Sequence, residues 1–219
     1  MAEADTTTSP SSGAATGIAG SADASGLAAL IARAQGDAGG EGRGLPPVER
    51  WNPPFCGDID MEIRADGTWF YLGTPIGRQP LVRLFSTVLR KDEDGRTYLV
   101  TPVEKVGIRV VDAPFLAVEM SVEGEGAGQV LTFRTNVGDV VTAGSEHTLR
   151  FETGGLDGEL KPYLHVRGRL EALVSRAVMY DLVALGERLE VEGVEMFCLR
   201  SGGVVFPVMP AGELDRLSQ

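Results

Sequence analysis

Two carboxylates spaced two residues apart, Asp58 and Asp60, are the clearest candidates for metal chemistry in this sequence. They lie in Asp58-Ile-Asp-Met-Glu-Ile-Arg, where polar and apolar residues alternate, so both should lie on one face of a strand. Such a pair can hold a divalent metal ion and, through it, a nucleotide diphosphate. The alternative is that they pair with Arg78 or with backbone amides. Because no further oxygen ligands cluster nearby in the sequence, a metal-dependent enzyme is an alternative to the leading prediction given below.

Other catalytic signatures do not occur in the chain. Gly124-x-Gly-x-Gly joins two predicted strands, whereas a phosphate-binding loop joins a strand to a helix. The patterns GxSxG and HExxH are absent. His147 and His165 stand apart in the sequence, and Cys56 and Cys198 form no CxxC pair, which is typical of reduced thiols. We therefore predict no catalytic residues, no metal and no cofactor, and we do not favour an enzyme.

Arginine dominates the basic residues, with 17 Arg against three Lys. Arg78 and Arg176 stand at the starts of two predicted helices, where a cation is unfavourable by about 0.3–1 kcal/mol because of the helix dipole. Something should therefore compensate each of them. One candidate is an internal carboxylate such as Asp58, Asp60 or Glu104. The other is an anionic ligand held between two domains.

The same two segments suggest an internal repeat. Pro75-Ile-Gly-Arg-Gln-Pro-Leu-Val-Arg-Leu-Phe aligns with Leu173-Val-Ser-Arg-Ala-Val-Met-Tyr-Asp-Leu-Val at a constant offset. The alignment pairs Arg78 with Arg176 and keeps the apolar positions of both helices in step. Each helix is flanked by predicted strands. We therefore expect a duplicated strand–helix–strand motif, one copy per domain.

The elements that must position these residues form an α+β pattern in two small domains. In the first, residues 45–111, a hairpin turns at Asp66-Gly67, a helix spans 77–90, and strands span 96–101 and 106–111. In the second, residues 112–210, strands 115–123 and 129–135 pair, strands span 147–152 and 163–174, a helix spans 175–188, and a last hairpin joins 195–200 to 204–208. Residues 211–219 read as a tail.

The first 44 residues are rich in Ala, Gly, Ser and Thr and contain no aromatic side chain. Such a segment buries too little apolar surface to offset its ordering entropy, so we expect it to be mostly disordered. The exception is a short amphipathic helix at about residues 25–35, in which Leu27, Leu30, Ile31 and Ala34 share one face. A helix this short is marginal alone. We expect it to dock on the folded body or on a partner.

The chain is acidic overall. Its 219 residues carry 20 Lys and Arg against 31 Asp and Glu, for a net charge of −11. Proteins that bind nucleic acid or anionic membranes generically present a basic surface, so both classes are disfavoured. Nucleic-acid binding through a local arginine surface stays an alternative. No signal peptide and no stretch of about 20 apolar residues occurs. We expect a cytoplasmic protein with no membrane partner.

Four strings resemble a known family: Trp51-Asn-Pro-Pro-Phe-Cys-Gly-Asp-Ile-Asp-Met, Gly67-Thr-Trp-Phe-Tyr-Leu-Gly-Thr-Pro-Ile-Gly-Arg, Tyr98-Leu-Val-Thr-Pro-Val-Glu-Lys and Phe133-Arg-Thr-Asn-Val-Gly-Asp. They are similar to bacterial domain-of-unknown-function family 1285 from about Leu45 to Pro210. The resemblance implies a two-domain α+β protein with a duplicated motif and a strand-rich C-terminal domain similar to a pleckstrin-homology-like roll. It implies no enzyme activity. Folds of that kind host binding and scaffolding, but a fold does not fix a function.

The leading prediction is therefore a non-enzymatic ligand-binding or regulatory signalling protein, with its site in the cleft between the two domains. The ligand would be a small anionic molecule or a protein partner that faces the basic residues. The polar turn Thr101–Lys105 is a binding candidate because of its loop position. Aromatic side chains of the first domain could line the pocket or lie in the core. The candidate residues are Asp58, Asp60, Trp69, Tyr71, Arg78, Thr101, Glu104, Lys105, Arg134, Asn136, Arg176 and Tyr180.

Overall fold

The first part of the chain folds into a six-stranded sheet, which we call the N-terminal sheet. The computed structural model describes residues 28, 29, 31, 32, 44–154 and 159–217. The strands are numbered along the chain, and across the sheet they lie in the order β3-β2-β1-β6-β5-β4. They are β1 (Phe55–Ile63), β2 (Trp69–Tyr71), β3 (Thr74–Pro75), β4 (Leu89–Lys91), β5 (Thr97–Val100) and β6 (Lys105–Val110). Helix α1 (Gln79–Thr87) connects β3 at one edge to β4 at the other.

The second part begins with another six-stranded sheet, the C-terminal sheet, of order β10-β11-β12-β7-β8-β9. Its strands are β7 (Phe115–Glu123), β8 (Val130–Thr135), β9 (Val140–Thr142), β10 (Leu149–Gly154), β11 (Glu159–Arg167) and β12 (Leu170–Val174). Helix α2 (Arg176–Ala184) leaves β12 and leads to a three-stranded sheet of β13 (Glu187–Val191), β14 (Val194–Ser201) and β15 (Val204–Pro210). Helix α3 (Ala211–Leu217) follows.

The two six-stranded sheets share one strand order. In each, the first three strands form an antiparallel meander, the last three form another, and the first and sixth strands join them as a parallel pair. The helices do not follow this correspondence, since α1 lies between the third and fourth strands of its sheet whereas α2 follows the sixth strand of the other. The sequence alignment of the two helix starts therefore pairs helices that occupy different places in the two sheets. The duplicated strand–helix–strand motif stays a prediction.

The hairpins predicted from turn residues are confirmed. Asp66 accepts a hydrogen bond from the amide of Thr68 at 2.9 Å, and Gly67 has a φ of 77°, as the turn between β1 and β2 requires. The last hairpin turns at Gly202-Gly203, both with positive φ. Such turns depend on local chemistry, which explains why the sequence locates them.

Other elements differ from the sequence prediction, and the fold is mostly β-sheet with few helices. Both predicted helices are correct in place but too long, and strands β4 and β13 occupy the residues just beyond their ends. The single strand predicted over 163–174 was wrong, because Gly168, with a φ of 54°, turns the chain between β11 and β12. Residues 211–217 are helical.

One hydrophobic core runs through both sheets. Trp69 of β2 stacks on Phe85 of α1 with ring centroids 6.2 Å apart, and both side chains are almost fully buried. Phe115 of β7 belongs to the same cluster. The helical residues Ala28 and Ile31 are also buried in it. These two residues therefore contribute apolar surface to the body of the protein, whereas residues 25–27, 30 and 33–35 of the predicted helix, and the expected disorder of the tail, lie outside the described residues.

Polar side chains tie the two parts together across this core. The Asn136 side-chain amide donates to the Gly67 carbonyl at 3.2 Å. Arg167 of β11 donates to Asp139 at 2.6 Å and to the Ser86 carbonyl at 2.8 Å. The second bond places a cation in the last turn of α1, where the helix dipole favours it. These bonds fix the turn after β1 and the end of α1 against the C-terminal sheet.

Candidate functional site

The two candidate metal-binding carboxylates, Asp58 and Asp60, are exposed residues of β1. Asp58 forms an ion pair with Arg96 of the neighbouring hairpin. A Cβ atom on Gly107, which lies between them, would approach the Asp58 carboxylate oxygen to 2.0 Å, so glycine leaves the space for this pair. Asp60 is exposed. Within the described part of the chain, no group of three or more His, Cys, Asp or Glu residues is arranged to hold a metal ion.

The two helix-start arginines have different environments, and neither pairs with the carboxylates suggested for them. Arg78 is the exposed N-cap residue of α1. Arg176 is the first residue of α2, where the Ser175 hydroxyl caps the helix by accepting from the Val178 amide. The Arg176 Nε donates to the Tyr180 hydroxyl at 3.3 Å, which raises the pKa of the arginine. Among the described ion pairs, none involves Arg78 or Arg176.

The polar turn between β5 and β6 is held by its own residues. Thr101 is buried, and its hydroxyl accepts from the amides of Val103 and Glu104. Burial raises the pKa of the half-buried Glu104. Lys105 turns away from Glu104 and pairs with Asp92 at 3.0 Å. Lys105 therefore links the start of β6 to Asp92, the residue that follows β4.

The remaining sequence candidates are dispersed. Trp69 and Tyr71 are buried, which agrees with the core interpretation of these aromatics. Arg134 on β8 is exposed and forms a bidentate pair with Glu119 on β7. Asn136 makes the interdomain bond to Gly67. The candidates therefore do not share one cleft. Of the twelve, Arg176 lines a cavity at the start of α2, and the other eleven line neither that cavity nor the two cavities beside Arg169.

That cavity, which we call the α2 cavity, lies at the start of α2 and has a volume of about 250 Å³. Its floor is apolar and comes from three strands and α2: Leu116, Leu160, Leu173 and Met179. The rim is polar and includes Lys161, Ser175, Arg176 and, from the turn after β1, Asp66. Residues of both parts of the chain therefore enclose it. An apolar floor with a few polar groups at the rim is the usual composition of a small-molecule site.

A second concavity lies between the two parts on the side of β4, and the sequence analysis did not identify it. It consists of two neighbouring cavities of about 450 Å³ and 290 Å³ that share Arg169, the residue in the turn between β11 and β12. We call it the Arg169 groove. Arg169 pairs with Glu93 of the turn after β4 at 2.9 Å, so this ion pair crosses the groove from one domain to the other.

The wall of the larger cavity is built around a buried arginine. Arg90 on β4 donates to both carboxylate oxygens of Asp92 and to the carbonyls of Val48 and Trp51 at 2.9 and 2.7 Å. Burial alone would raise the pKa of Asp92, but hydrogen bonds from Arg90 and Lys105 hold it below its usual value. Because the guanidinium fixes the 3-10 turn at Val48–Arg50, it also fixes Trp51, which lines the groove.

A polar network lines the smaller cavity. Asp112 accepts from Lys161 at 2.8 Å and from the Tyr163 hydroxyl at 2.7 Å. These bonds lower the pKa of Asp112, although its burial acts in the opposite direction. Burial and the bond to Asp112 raise the pKa of Tyr163. Arg150 lies over the Tyr163 ring and pairs with Glu171. The sequence signal that could have pointed to the Arg169 groove is the charge-dense run after α1, Arg90-Lys-Asp-Glu-Asp.

Comparison with known proteins places the chain in context. The model described as "Domain of unknown function (DUF1285), N-terminal domain" matches residues 46–113, and "Protein of unknown function (DUF1285), C-terminal domain" matches residues 114–208. A DUF1285 family protein from Silicibacter pomeroyi is 52% identical, with a TM-score of 0.75 over 85% of this chain and 98% of that chain. Another, from Shewanella baltica, is 28% identical, with a TM-score of 0.45 over 57% and 90%. No curated protein matches the chain.

The helices give no indication of a membrane span. Among the residues that the structure describes, no helix combines the length and the apolar character needed to cross a bilayer.

Proposed function

This chain belongs to the DUF1285 family of bacterial proteins. We propose that it is a non-enzymatic protein that binds a small anionic ligand between its two domains. The proposed site is the α2 cavity. The observation that carries the proposal is Arg176, an exposed guanidinium at the cavity rim that forms no ion pair within 4.0 Å among the described residues; the nearby Glu159 carboxylate of the same rim helps to raise its pKa.

The position of Arg176 favours an anion. The amides of the first turn of α2 and the helix dipole already make this end of the helix positive, and the guanidinium adds to it. A carboxylate or phosphate group would offset both charges. Tyr180 holds the arginine through its hydroxyl, which limits the side-chain freedom that binding would otherwise remove.

The floor of the cavity favours an apolar part on the same ligand. Leu116, Leu160, Leu173 and Met179 offer no hydrogen-bonding groups on their side chains, so a wholly polar ligand would leave its own polar groups unpaired there. At about 250 Å³ the cavity is slightly smaller than the usual range of small-molecule sites, about 300–1,000 Å³. A short carbon chain with a terminal carboxylate suits both features.

The alternatives have less support. The Asp58 carboxylate proposed for a metal enzyme is engaged with Arg96. Most arginines that the structure describes pair with Asp or Glu, among them Arg96, Arg134 and Arg150, so their charge is locally balanced. Phosphate contacts would have to displace those carboxylates. Neither alternative has an observation of its own in its favour.

Calorimetric titration with octanoate tests the proposal. We expect wild-type protein to bind octanoate and the Arg176→Ala variant to bind it about tenfold more weakly, since a charge-assisted contact is lost. Octanol, which lacks the carboxylate, should also bind more weakly. The matched control is Arg134→Ala, which removes an exposed arginine outside the cavity and should leave binding unchanged. Equal binding by wild type and Arg176→Ala, or no octanoate binding at all, would overturn the proposal.

Two finer expectations about the fold remain predictions. The pleckstrin-homology-like roll is supported by the strand-rich second domain, in which helix α2 connects a six-stranded sheet to a three-stranded sheet. The duplicated strand–helix–strand motif is supported by the strands that flank α1 and α2. Both kinds of architecture suit a binding role, and neither requires catalysis.

A further inference from the structure

The Arg169–Glu93 ion pair is the part of the Arg169 groove that is best placed to open. The Arg169 and Glu93 side chains are 52% and 87% exposed. Exposed pairs of this kind contribute little to stability because water solvates both partners well and ordering long side chains costs entropy. An incoming ligand can therefore separate the two residues at small cost.

The other charges beneath the groove are held more firmly. Arg90 and Asp92 share two hydrogen bonds, and Lys105 adds a third to the same carboxylate. On the other side, Asp112 is engaged by two donors and Arg150 by Glu171. These groups form fixed walls. The charges that face each other across the mouth of the groove are then Arg169 of the C-terminal domain and Glu93 of the N-terminal domain, and Glu49, Arg50 and Asp94 line the same cavity.

A ligand that replaces this ion pair without leaving a charge unpaired must carry both signs. Its carboxylate would take the place of Glu93 on Arg169, and its ammonium group would take the place of Arg169 on Glu93. A purely anionic ligand would take Arg169 away from Glu93 and would add negative charge beside Glu93 and Asp94. The Asp94 carboxylate bonds to the Tyr98 hydroxyl and the Arg96 amide, which lower its pKa and keep it ionised.

We propose that the Arg169 groove binds a short zwitterionic ligand, a free amino acid or a dipeptide, between Arg169 and Glu93. Trp51 forms part of the wall of the larger cavity, and Arg90 holds its backbone in place. The aromatic ring offers a face for the methylene groups of such a ligand. This site is separate from the α2 cavity, so it can be present or absent independently of octanoate binding.

The test is titration of the full-length protein with glycine and diglycine, followed by calorimetry and by tryptophan fluorescence. Trp51 lines the groove, whereas Trp69 is buried away from it, so a change in emission reports on Trp51. We expect at least one of the two ligands to bind. N-acetyldiglycine and diglycinamide, each of which lacks one charge, should bind about tenfold more weakly.

Variants separate the groove from the rest of the surface. Arg169→Ala and Glu93→Ala should each weaken zwitterion binding about tenfold. The matched controls are Arg109→Ala and Glu62→Ala, which remove a pair of the N-terminal sheet at 3.1 Å, in which Arg109 is exposed and Glu62 half-buried, and should have no effect on zwitterion binding. All four positions are solvent-accessible, so the variants should fold. The proposal is contradicted if neither zwitterion binds, if the singly charged analogues bind as well as diglycine, or if the groove variants match the controls.

Discussion

At the scale of single residues, the most consequential side chain is one that the sequence analysis did not single out. Arg90 is 8% exposed and makes four hydrogen bonds, two to Asp92 and two to the backbone that precedes β1. Asp92 lies two positions later in the chain, but the two backbone partners lie about 40 positions earlier. No local sequence pattern could predict those two bonds. A buried charge that is satisfied in this way is costly to remove.

Replacing Arg90 should destabilise the protein strongly. We expect Arg90→Lys to lower the free energy of unfolding by about 3 kcal/mol, because an ammonium group cannot make the two-pronged bond to Asp92 and also reach two carbonyls. Urea denaturation measures the difference. Arg109→Lys, at an exposed position, should stay within about 0.5 kcal/mol of wild type. A similar small effect for both variants would show that the buried guanidinium is dispensable.

Asp112 should make stability depend on acid. Lys161 and Tyr163 hold the pKa of this carboxylate below its usual value despite burial. A carboxyl group whose pKa is lower in the folded state stabilises fully above the unfolded pKa, about 3.9, and loses that contribution as the pH falls through the folded value.

We therefore expect the melting temperature of Asp112→Asn to fall less steeply than that of wild type as the pH decreases below about 4. At pH 7 the variant should be less stable than wild type, because the bond to Lys161 is weakened. Calorimetric scans across pH measure both effects, with the exposed Glu123→Gln as the control. Parallel curves for wild type and Asp112→Asn would contradict the role assigned to this residue.

At the scale of elements, the sequence located what local chemistry determines. The turns at Asp66-Gly67 and Gly202-Gly203 and the start of α2 at Ser175 depend on neighbouring residues, and all are found in the structure. Strands β4 and β13 were missed because each is short and exists only through its pairing with a later strand. Strand pairing of this kind is decided by tertiary structure.

The junction between α2 and β13 offers a test of this packing. A Cβ atom on Gly186 would lie 1.9 Å from the ring of the buried Phe197. We expect Gly186→Ala to destabilise the protein by about 1–3 kcal/mol, since either the ring or the backbone must move. Urea denaturation measures the loss. Gly144→Ala, where no atom lies within 4 Å of the added methyl group, should be nearly neutral. An equally small effect at Gly186 would indicate that this junction is loosely packed.

At the scale of the whole molecule, the two domains are coupled by few polar contacts over a shared core. Arg167 and Asn136 provide hydrogen bonds that cross between them. Both tryptophans, Trp51 and Trp69, lie in the N-terminal domain, whereas most strands lie in the C-terminal one. Tryptophan fluorescence therefore reports on the N-terminal domain, whereas far-ultraviolet circular dichroism reports on both domains and more on the C-terminal one.

Weakening these ties should separate the unfolding of the two domains. We expect the two signals to change together in wild type and at different urea concentrations in Arg167→Met combined with Asn136→Ala, because cooperative unfolding depends on the interface. Arg134→Met combined with Glu119→Ala, an exposed pair within the C-terminal sheet, is the control. Coincident transitions in the interface variant would show that the apolar core alone couples the domains.

The sequence identified one residue of the proposed ligand site, Arg176, but not the cavity beside it. Arg176 attracted attention because a cation is out of place at a helix start, and that argument needs no structure. The cavity beside it could not be predicted, since Leu116, Leu160 and Met179 come from different elements. The grouping of Arg78, Arg134 and Lys105 with Arg176 assumed a single cleft, whereas the structure places two of these residues in ion pairs elsewhere.

The most direct test of the proposed function uses the methionine methyl groups. Of the methionines that the structure describes, Met179 lines the α2 cavity. In protein labelled with 13C at the methionine methyl groups, saturating octanoate should shift the Met179 resonance, identified by Met179→Leu, and leave the other methionine signals in place. In Arg176→Ala the same shift should require about tenfold more octanoate. An unchanged Met179 resonance in the wild-type protein would contradict binding in the α2 cavity.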